Sequence, residues 1–182
     1  MLHRRSFLIG APASLLLNVG NVQAAPAIYQ DIWSVPRSLS IYRAETGEYG
    51  HFEYWRDGKI QTDAWFALLH IFRDVKADLA IHYDPKVVDI VWGTQEWIAR
   101  DRGGTRPFFR CTSGARSEST NRDTPGADPH SEHLKGRALD GSFEKIGRPV
   151  YAKAARFFNS GGVGLYATHV HVDSGRVRQW GF

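Results

Sequence analysis

Polar and apolar residues alternate from Ser38 to Ala44 and again from Tyr49 to Trp55. That two-residue period belongs to half-buried strands. Thr46-Gly47-Glu48 lies between the two runs and predicts a turn, so the pair reads as a hairpin. Arg56-Asp57-Gly58-Lys59 turns the chain again, and the period then changes. Trp65, Leu68, Leu69 and Phe72 recur at helical spacing behind Thr62 or Asp63, either of which can cap a helix. Asp84-Pro85 opens a second helix, with proline at its first position and Val87, Val88, Val91, Trp92 and Ile98 along one face. Gly103-Gly104 ends it.

Pro107 to Thr112 reads as a short strand. Ser113 to His130 is a long loop rich in Ser, Thr, Asp, Pro and Gly. Loops of that length inside a domain are functional or disordered, and this one leads straight into candidate chemistry. Arg137 to Phe143 is a strand, and Pro149 to Asn159 is an amphipathic helix with Val150, Ala154, Phe157 and Phe158 inward. Gly161-Gly162 stops that helix, and Val163 to Ala167 with His169 to Asp173 forms a last hairpin. Strands and helices come in separate blocks, without internal repeats, which predicts an α+β fold with a small antiparallel sheet flanked by helices.

The first residues carry a different signal. Arg4-Arg5-Ser6-Phe7-Leu8 resembles a twin-arginine export motif, followed by an apolar run to Val19 and by Val22-Gln23-Ala24, which suits a signal peptidase. An ordinary Sec signal is the alternative. Pro12 and Asn18 interrupt the run, so a stable membrane span is not expected. The division that follows is an export signal over 1–24, an extended lead-in over 25–36 and a single domain over 37–182, with periplasmic localisation. Loss of Arg4 and Arg5 takes the formal charge from +4 to +2, with no Lys/Arg block, so nucleic acid is not implied. Cys111 is the only cysteine, which excludes an intramolecular disulfide and a thiolate-rich metal site. A monomer is expected.

The candidate chemistry lies in Ser131-Glu132-His133-Leu134-Lys135-Gly136-Arg137-Ala138-Leu139-Asp140 and in His169-Val170-His171-Val172-Asp173. Two imidazoles and a carboxylate can hold one Zn²⁺ and leave a position open for water. Strand alternation puts His169, His171 and Asp173 on one face and Val170 and Val172 on the other. Ala138 and Asp140 likewise share a face. A sheet that sets Asp140 beside His171 would bring two ligands together from rigid elements. His133 would complete the set, with Gly136 letting the chain fold back between the ligands.

Those two segments resemble the SxHxxGxAxD pattern of the zinc D-alanyl-D-alanine peptidases, and most closely the MepK/YcbK-like murein endopeptidases. The resemblance extends to Ser113-Gly114-Ala115-Arg116-Ser117 with Thr120-Asn121, to Gly161-Gly162-Val163-Gly164-Leu165-Tyr166, and to Val170 through Gly175 followed by Arg178 and Trp180. It implies a zinc D-Ala-D-Ala peptidase/hedgehog-like metallopeptidase fold acting on peptidoglycan stem peptides. By that resemblance His133, Asp140 and His171 are the zinc ligands, and Arg116 binds a substrate carboxylate or the developing oxyanion. Ser131 and Asn121 shape the site by hydrogen bonds, and Tyr166 is a hydrogen-bonding wall or a half-buried core residue. Two departures stand out. Ala115 replaces the tyrosine usual in SGYRS, and Thr168 stands where the dipeptidase branch has its general-base Glu. Asp173 by the same resemblance orients a ligand or handles a proton, so His169 and Asp173 are rival proton handlers, with Glu132 third. The implied activity is hydrolysis of murein cross-links, with stem-peptide trimming or a catalytically weak wall-binding module as alternatives.

Overall fold

The alternation over residues 37–56 becomes β1 (Arg37–Arg43) and β2 (Tyr49–Arg56), an antiparallel hairpin in the computed structural model, which describes residues 32–182. The segment expected to be an export signal and most of the expected lead-in lie outside the described residues. The described part of the lead-in is not extended. Ile32–Ser34 forms a 3-10 turn, and Trp33 packs on Trp92 with ring centroids 5.7 Å apart. The chain continues through β3 (Lys59–Ile60), α1 (Thr62–Ile71), α2 (Pro85–Asp101) and β4 (Phe109–Ser113). It then forms α3 (Glu118–Arg122), β5 (Ala138–Phe143), α4 (Arg148–Phe157), β6 (Gly162–Leu165), β7 (Val170–Asp173) and β8 (Arg178–Trp180). Asp84 caps α2 by accepting from the Lys86 N–H, as the Asp-Pro pair predicts. Gln61, rather than Thr62 or Asp63, occupies the N-cap of α1 and makes no side-chain cap bond.

The eight strands form one sheet in the order β3-β2-β1-β4-β5-β7-β6-β8. It is larger than the small antiparallel sheet expected, and it is mixed: β1–β4 and β6–β8 are parallel. The helical connection between the first hairpin and β4 is long enough to return the chain parallel to β1. The three residues of β8 are too few to show alternation in the sequence.

One face of the sheet is the core. Ile41, Phe109 and Phe143 lie in register across β1, β4 and β5, and Leu139, Val172 and Val163 across β5, β7 and β6. All six are buried. Helix α2 packs on β1, β5 and β7, and α4 packs on β5, β6 and β7. Burying one such Leu or Val contributes about 2 kcal/mol. The inward face of α4 differs from the one expected. Tyr151, Ala152, Ala154 and Ala155 are buried, while Val150 and Phe157 are exposed. Three alanines thus stand on the buried face of α4, and Tyr151 supplies its one large side chain there. Among the described residues no helix is long and apolar enough to cross a membrane.

Candidate metal centre

The other face of the sheet carries the site, and a single register row builds half of it. Ser113, Asp140, His171, Gly164 and Trp180 face one another across β4, β5, β7, β6 and β8. Asp140 is the direct partner of His171, as strand periodicity predicts. Ser113 joins the row because of an irregularity. The β4–β5 register shifts between Cys111 and Ser113, leaving Thr112 as the extra residue of a bulge. Strict alternation would put Ser113 on the core face with Phe109 and Cys111; the bulge turns it toward Asp140. At the far end Gly164 leaves room for the Trp180 indole, because a Cβ there would run into it. The indole lies 5.4 Å from the His171 ring.

His133 comes from a 3-10 turn over Glu132–Lys135, inside the stretch that follows β4. The Ser131 hydroxyl accepts from the His133 backbone N–H at 3.3 Å. Gly136 ends the turn in the left-handed region at φ 63°, pressed so closely on the His82 carbonyl that a Cβ would collide with it. The polar stretch 113–130 is more ordered than a loop. It contains α3, capped by the Ser117 hydroxyl, and its start is held along residues 72–74. The Ala115 N–H donates to the Phe72 carbonyl at 2.7 Å, and the Ser117 N–H to Asp74 Oδ2 at 2.7 Å.

His133, Asp140 and His171 offer ligand atoms that all lie within 4.8 Å of one another. The protonation pattern suits a cation. His133 Nδ1 donates to the Gly114 carbonyl at 2.6 Å, which leaves the Nε2 lone pair directed at Asp140, 3.2 Å away. His171 Nε2 donates to Asp173 at 3.1 Å, and Nδ1 faces Asp140 at 2.8 Å and His133 Nε2 at 3.3 Å. Two imidazole nitrogens and a carboxylate thus converge, each imidazole fixed by a hydrogen bond from its other nitrogen. This donor set fits a divalent metal ion.

Burial pushes the His171 pKa down, but hydrogen bonds to Asp140 and Asp173 carry it up to about 9. Burial also works against ionisation of Asp140, yet His133 and His171 hold it well below the usual carboxylate range. Asp173 behaves alike: burial raises it, and His171 with the Gly162 and Gly175 N–H groups brings it to about 2.

A groove of about 730 Å³ opens over this centre. Arg116, Ser131, Tyr166 and His169 line it. Arg116 donates from Nε to the Ser113 hydroxyl at 3.1 Å and from Nη2 to Asp140 at 3.0 Å. His169 stacks on Tyr166 at 4.6 Å and points Nε2 at Asp140, 3.8 Å away. Burial lowers its pKa, with the neighbouring Asp140 opposing. The Tyr166 hydroxyl accepts from the Trp180 indole N–H at 2.8 Å, so it is a wall residue and not a core one. Asn121 is not on the groove wall; it is buried and braces the loop by donating to the Asp128 carbonyl at 2.9 Å. Asp173 is fully buried and accepts from Gly162, Gly175, Arg178 and His171. Glu132 lines the groove, paired with Lys135 at 3.1 Å. Sequence reasoning missed Asp74 and the Gly114 carbonyl. Neither leaves a signal, since one is a lone acid far from the motifs and the other is backbone.

A mixed α+β domain with a groove over a His/Asp/His cluster offers the donor set that a metal-dependent hydrolase uses. The chain belongs to the family described as Peptidoglycan L,D-endopeptidase MepK, whose model matches residues 33–180. It is 34% identical over 152 residues to the peptidoglycan L,D-endopeptidase MepK of Escherichia coli (strain K12), covering 80% of each chain. The Shigella flexneri protein of the same name matches equally. The probable peptidoglycan L,D-endopeptidase MepK of Haemophilus influenzae is 29% identical over 153 residues, covering 80% of this chain and 79% of that one.

Proposed function

We propose that this protein is an exported zinc-dependent peptidoglycan hydrolase that cuts peptide cross-links between murein stem peptides, with the L,D bond class that its relatives' names specify. The observation that carries the reading is the convergence of the His133, Asp140 and His171 ligand atoms in the lining of a groove of about 730 Å³. Those three residues would hold the ion. When bound, zinc polarises a carbonyl and makes a water nucleophilic near neutral pH.

The chain's own groups supply the rest. Arg116, fixed by Ser113, presents its guanidinium to a substrate carboxylate or to the oxyanion that forms at the scissile carbon. His169 takes the proton at Nε2 and returns it to the leaving amine; its lowered pKa keeps it neutral and ready. Asp173 has four donors on its carboxylate and serves to hold the His171 ring in place. Ser131 steadies the His133 turn, and Tyr166 sets the His169 plane. Export by the twin-arginine route to the periplasm completes the reading; Arg4→Lys with Arg5→Lys is expected to leave the protein in the cytoplasm.

Digestion of purified cross-linked muropeptides tests the function. Cross-linked dimers should fall to monomers, stop doing so with a chelator, and resume with Zn²⁺. Release of a terminal residue with dimers left intact would make the protein a carboxypeptidase. Binding without turnover would make it a wall-binding module.

A further inference from the structure

A second cavity of about 400 Å³ adjoins the groove, and Arg116 and Thr124 line both. Its wall includes Arg43, Lys76, Ser113 and Thr120. Arg43 is the unusual member. It lies on β1, is 2% exposed, and its Nε is buried with no hydrogen-bond partner. Its remaining contacts are long: Nη1 reaches the Cys111 sulfur at 3.4 Å, and Nη2 reaches Glu45 at 3.3 Å and the Arg73 carbonyl at 3.5 Å. A guanidinium can make five charge-assisted bonds, and burying one so sparsely satisfied is costly. The two acids nearby do not discharge it. The Glu45 side chain is 45% exposed, and a pair at such a rim is weak. The Asp74 carboxylate is taken up by the N–H groups of Lys76, Ala77 and Ser117.

We propose that this cavity is a carboxylate subsite, in which Arg43, helped by Lys76 at the mouth, receives a free carboxylate of the peptide whose scissile bond lies in the groove beyond Arg116. The assignment rests on the reading of the protein as a peptidoglycan hydrolase, because such peptides carry carboxylates beside the bond that is cut. Arg116 then stands between the two compartments and fixes the register of the peptide. The subsite selects cross-linked stems whose side carboxylate is free over stems in which it is amidated.

The test uses the metal-loaded protein, a cross-linked stem-peptide dimer, and the same dimer with its free carboxylates converted to carboxamides. Wild type should prefer the free acid by about tenfold in KM, the usual worth of one charge-assisted contact. Arg43→Met should raise KM for the acid by about tenfold, act mainly on KM rather than kcat, and reduce the acid/amide preference to within about twofold. Arg43→Lys should restore most of that preference. Lys76→Met, at an exposed position, should cost about threefold and decides the matter if Arg43→Met fails to fold. A folded Arg43→Met protein, or failing that Lys76→Met, with an unchanged acid/amide preference overturns the subsite. Equilibrium binding of both dimers to chelator-treated protein should show the same Arg43-dependent preference. Absence of turnover with that binding preference intact would sink the hydrolase reading and leave the subsite standing; absence of the preference in binding would sink the subsite.

Discussion

Asp140 and His171 reach the candidate metal centre from the sheet, while His133 and Arg116 reach it from the long connection between β4 and β5. The two halves are held by different means. Adjacent strands fix Asp140 opposite His171, so their spacing follows from backbone pairing shared by the whole sheet. The connection has no such lattice. Its ligand is placed by a few individual contacts: the Gly114 carbonyl on His133, the Phe72 carbonyl on Ala115, Asp74 on Ser117 and His82 against Gly136. Each is a single bond or a single close approach. The sheet half should therefore tolerate changes around it, and the loop half should fail when any one brace goes.

Removing a ligand breaks both halves alike and has the largest effect. His133→Ala, Asp140→Ala and His171→Ala should each lower Zn²⁺ affinity by roughly a thousandfold or more, since two residual ligands hold the ion poorly. Competition against a chromophoric chelator measures this, and full Zn²⁺ occupancy of the His171→Ala protein would overturn the assignment. Gly136→Ala touches no ligand yet should come next. The position has φ 63° and a Cβ would strike the His82 carbonyl. A loss of about 3 kcal/mol in urea unfolding is expected, from the left-handed conformation and the clash together. A loss below about 1 kcal/mol would mean that the turn can move, and that the loop half is less brittle than its contacts imply.

The same division separates what the sequence discloses from what it hides. The strand pattern of residues 138–143 and 170–173 predicts which side chains face the cleft, and the Asp140–His171 pairing follows once the strands are neighbours. Helix α2 is equally legible, because Asp84-Pro85 and Gly103-Gly104 mark its ends chemically. The bulge after Cys111 breaks alternation without a glycine or proline to announce it, so the path from β4 into the loop is invisible beforehand. Helix α3 is a single capped turn whose residues look like loop. The inward face of α4 is misread because Phe157 and Val150 outrank alanine in hydrophobicity, whereas close packing on the sheet favours the alanines. The parallel partners of β1 and β6 depend on long-range topology, which no local period encodes.

Asp74 sharpens the comparison at a distance from the ion. One of its oxygens accepts from Ser117 and the other from Lys76 and Ala77. Asp74→Asn keeps the shape but sets an amide NH₂ where one acceptor was, so one side of the brace is lost. A charged hydrogen bond of this kind contributes about 2 kcal/mol. Zn²⁺ affinity should also fall by about tenfold, the usual range for a group that positions a ligand indirectly. Chelator competition and urea unfolding on the same variant check both figures. Unchanged Zn²⁺ affinity beside a clear loss of stability would show that Asp74 steadies the fold without positioning the loop half of the site.

The smallest expected effect isolates the sheet half, through the metal-free protein. There the His171 imidazolium lies between Asp140 and Asp173, with its pKa raised to about 9 from an unfolded value near 6.5. A raised pKa means that the folded state holds the proton more tightly than the unfolded chain does. Its contribution is complete below about pH 6.5 and is lost as pH rises through about 9. Because the ring is largely but not wholly buried, the loss should be on the order of 1–2 kcal/mol rather than the full value of the shift. Zn²⁺ reverses the trend, since it needs Nδ1 without its proton and so binds better as pH rises. Thermal melts between pH 6 and 9.5 should thus diverge: the chelator-treated protein loses stability as the Zn²⁺-induced increment grows. Asp173→Asn should flatten the metal-free limb, because it removes one of the two carboxylates that hold the imidazolium. Parallel curves for the metal-free and Zn²⁺-loaded proteins would show that no proton is exchanged for the ion at His171, and that its Nδ1 is not the ligand atom.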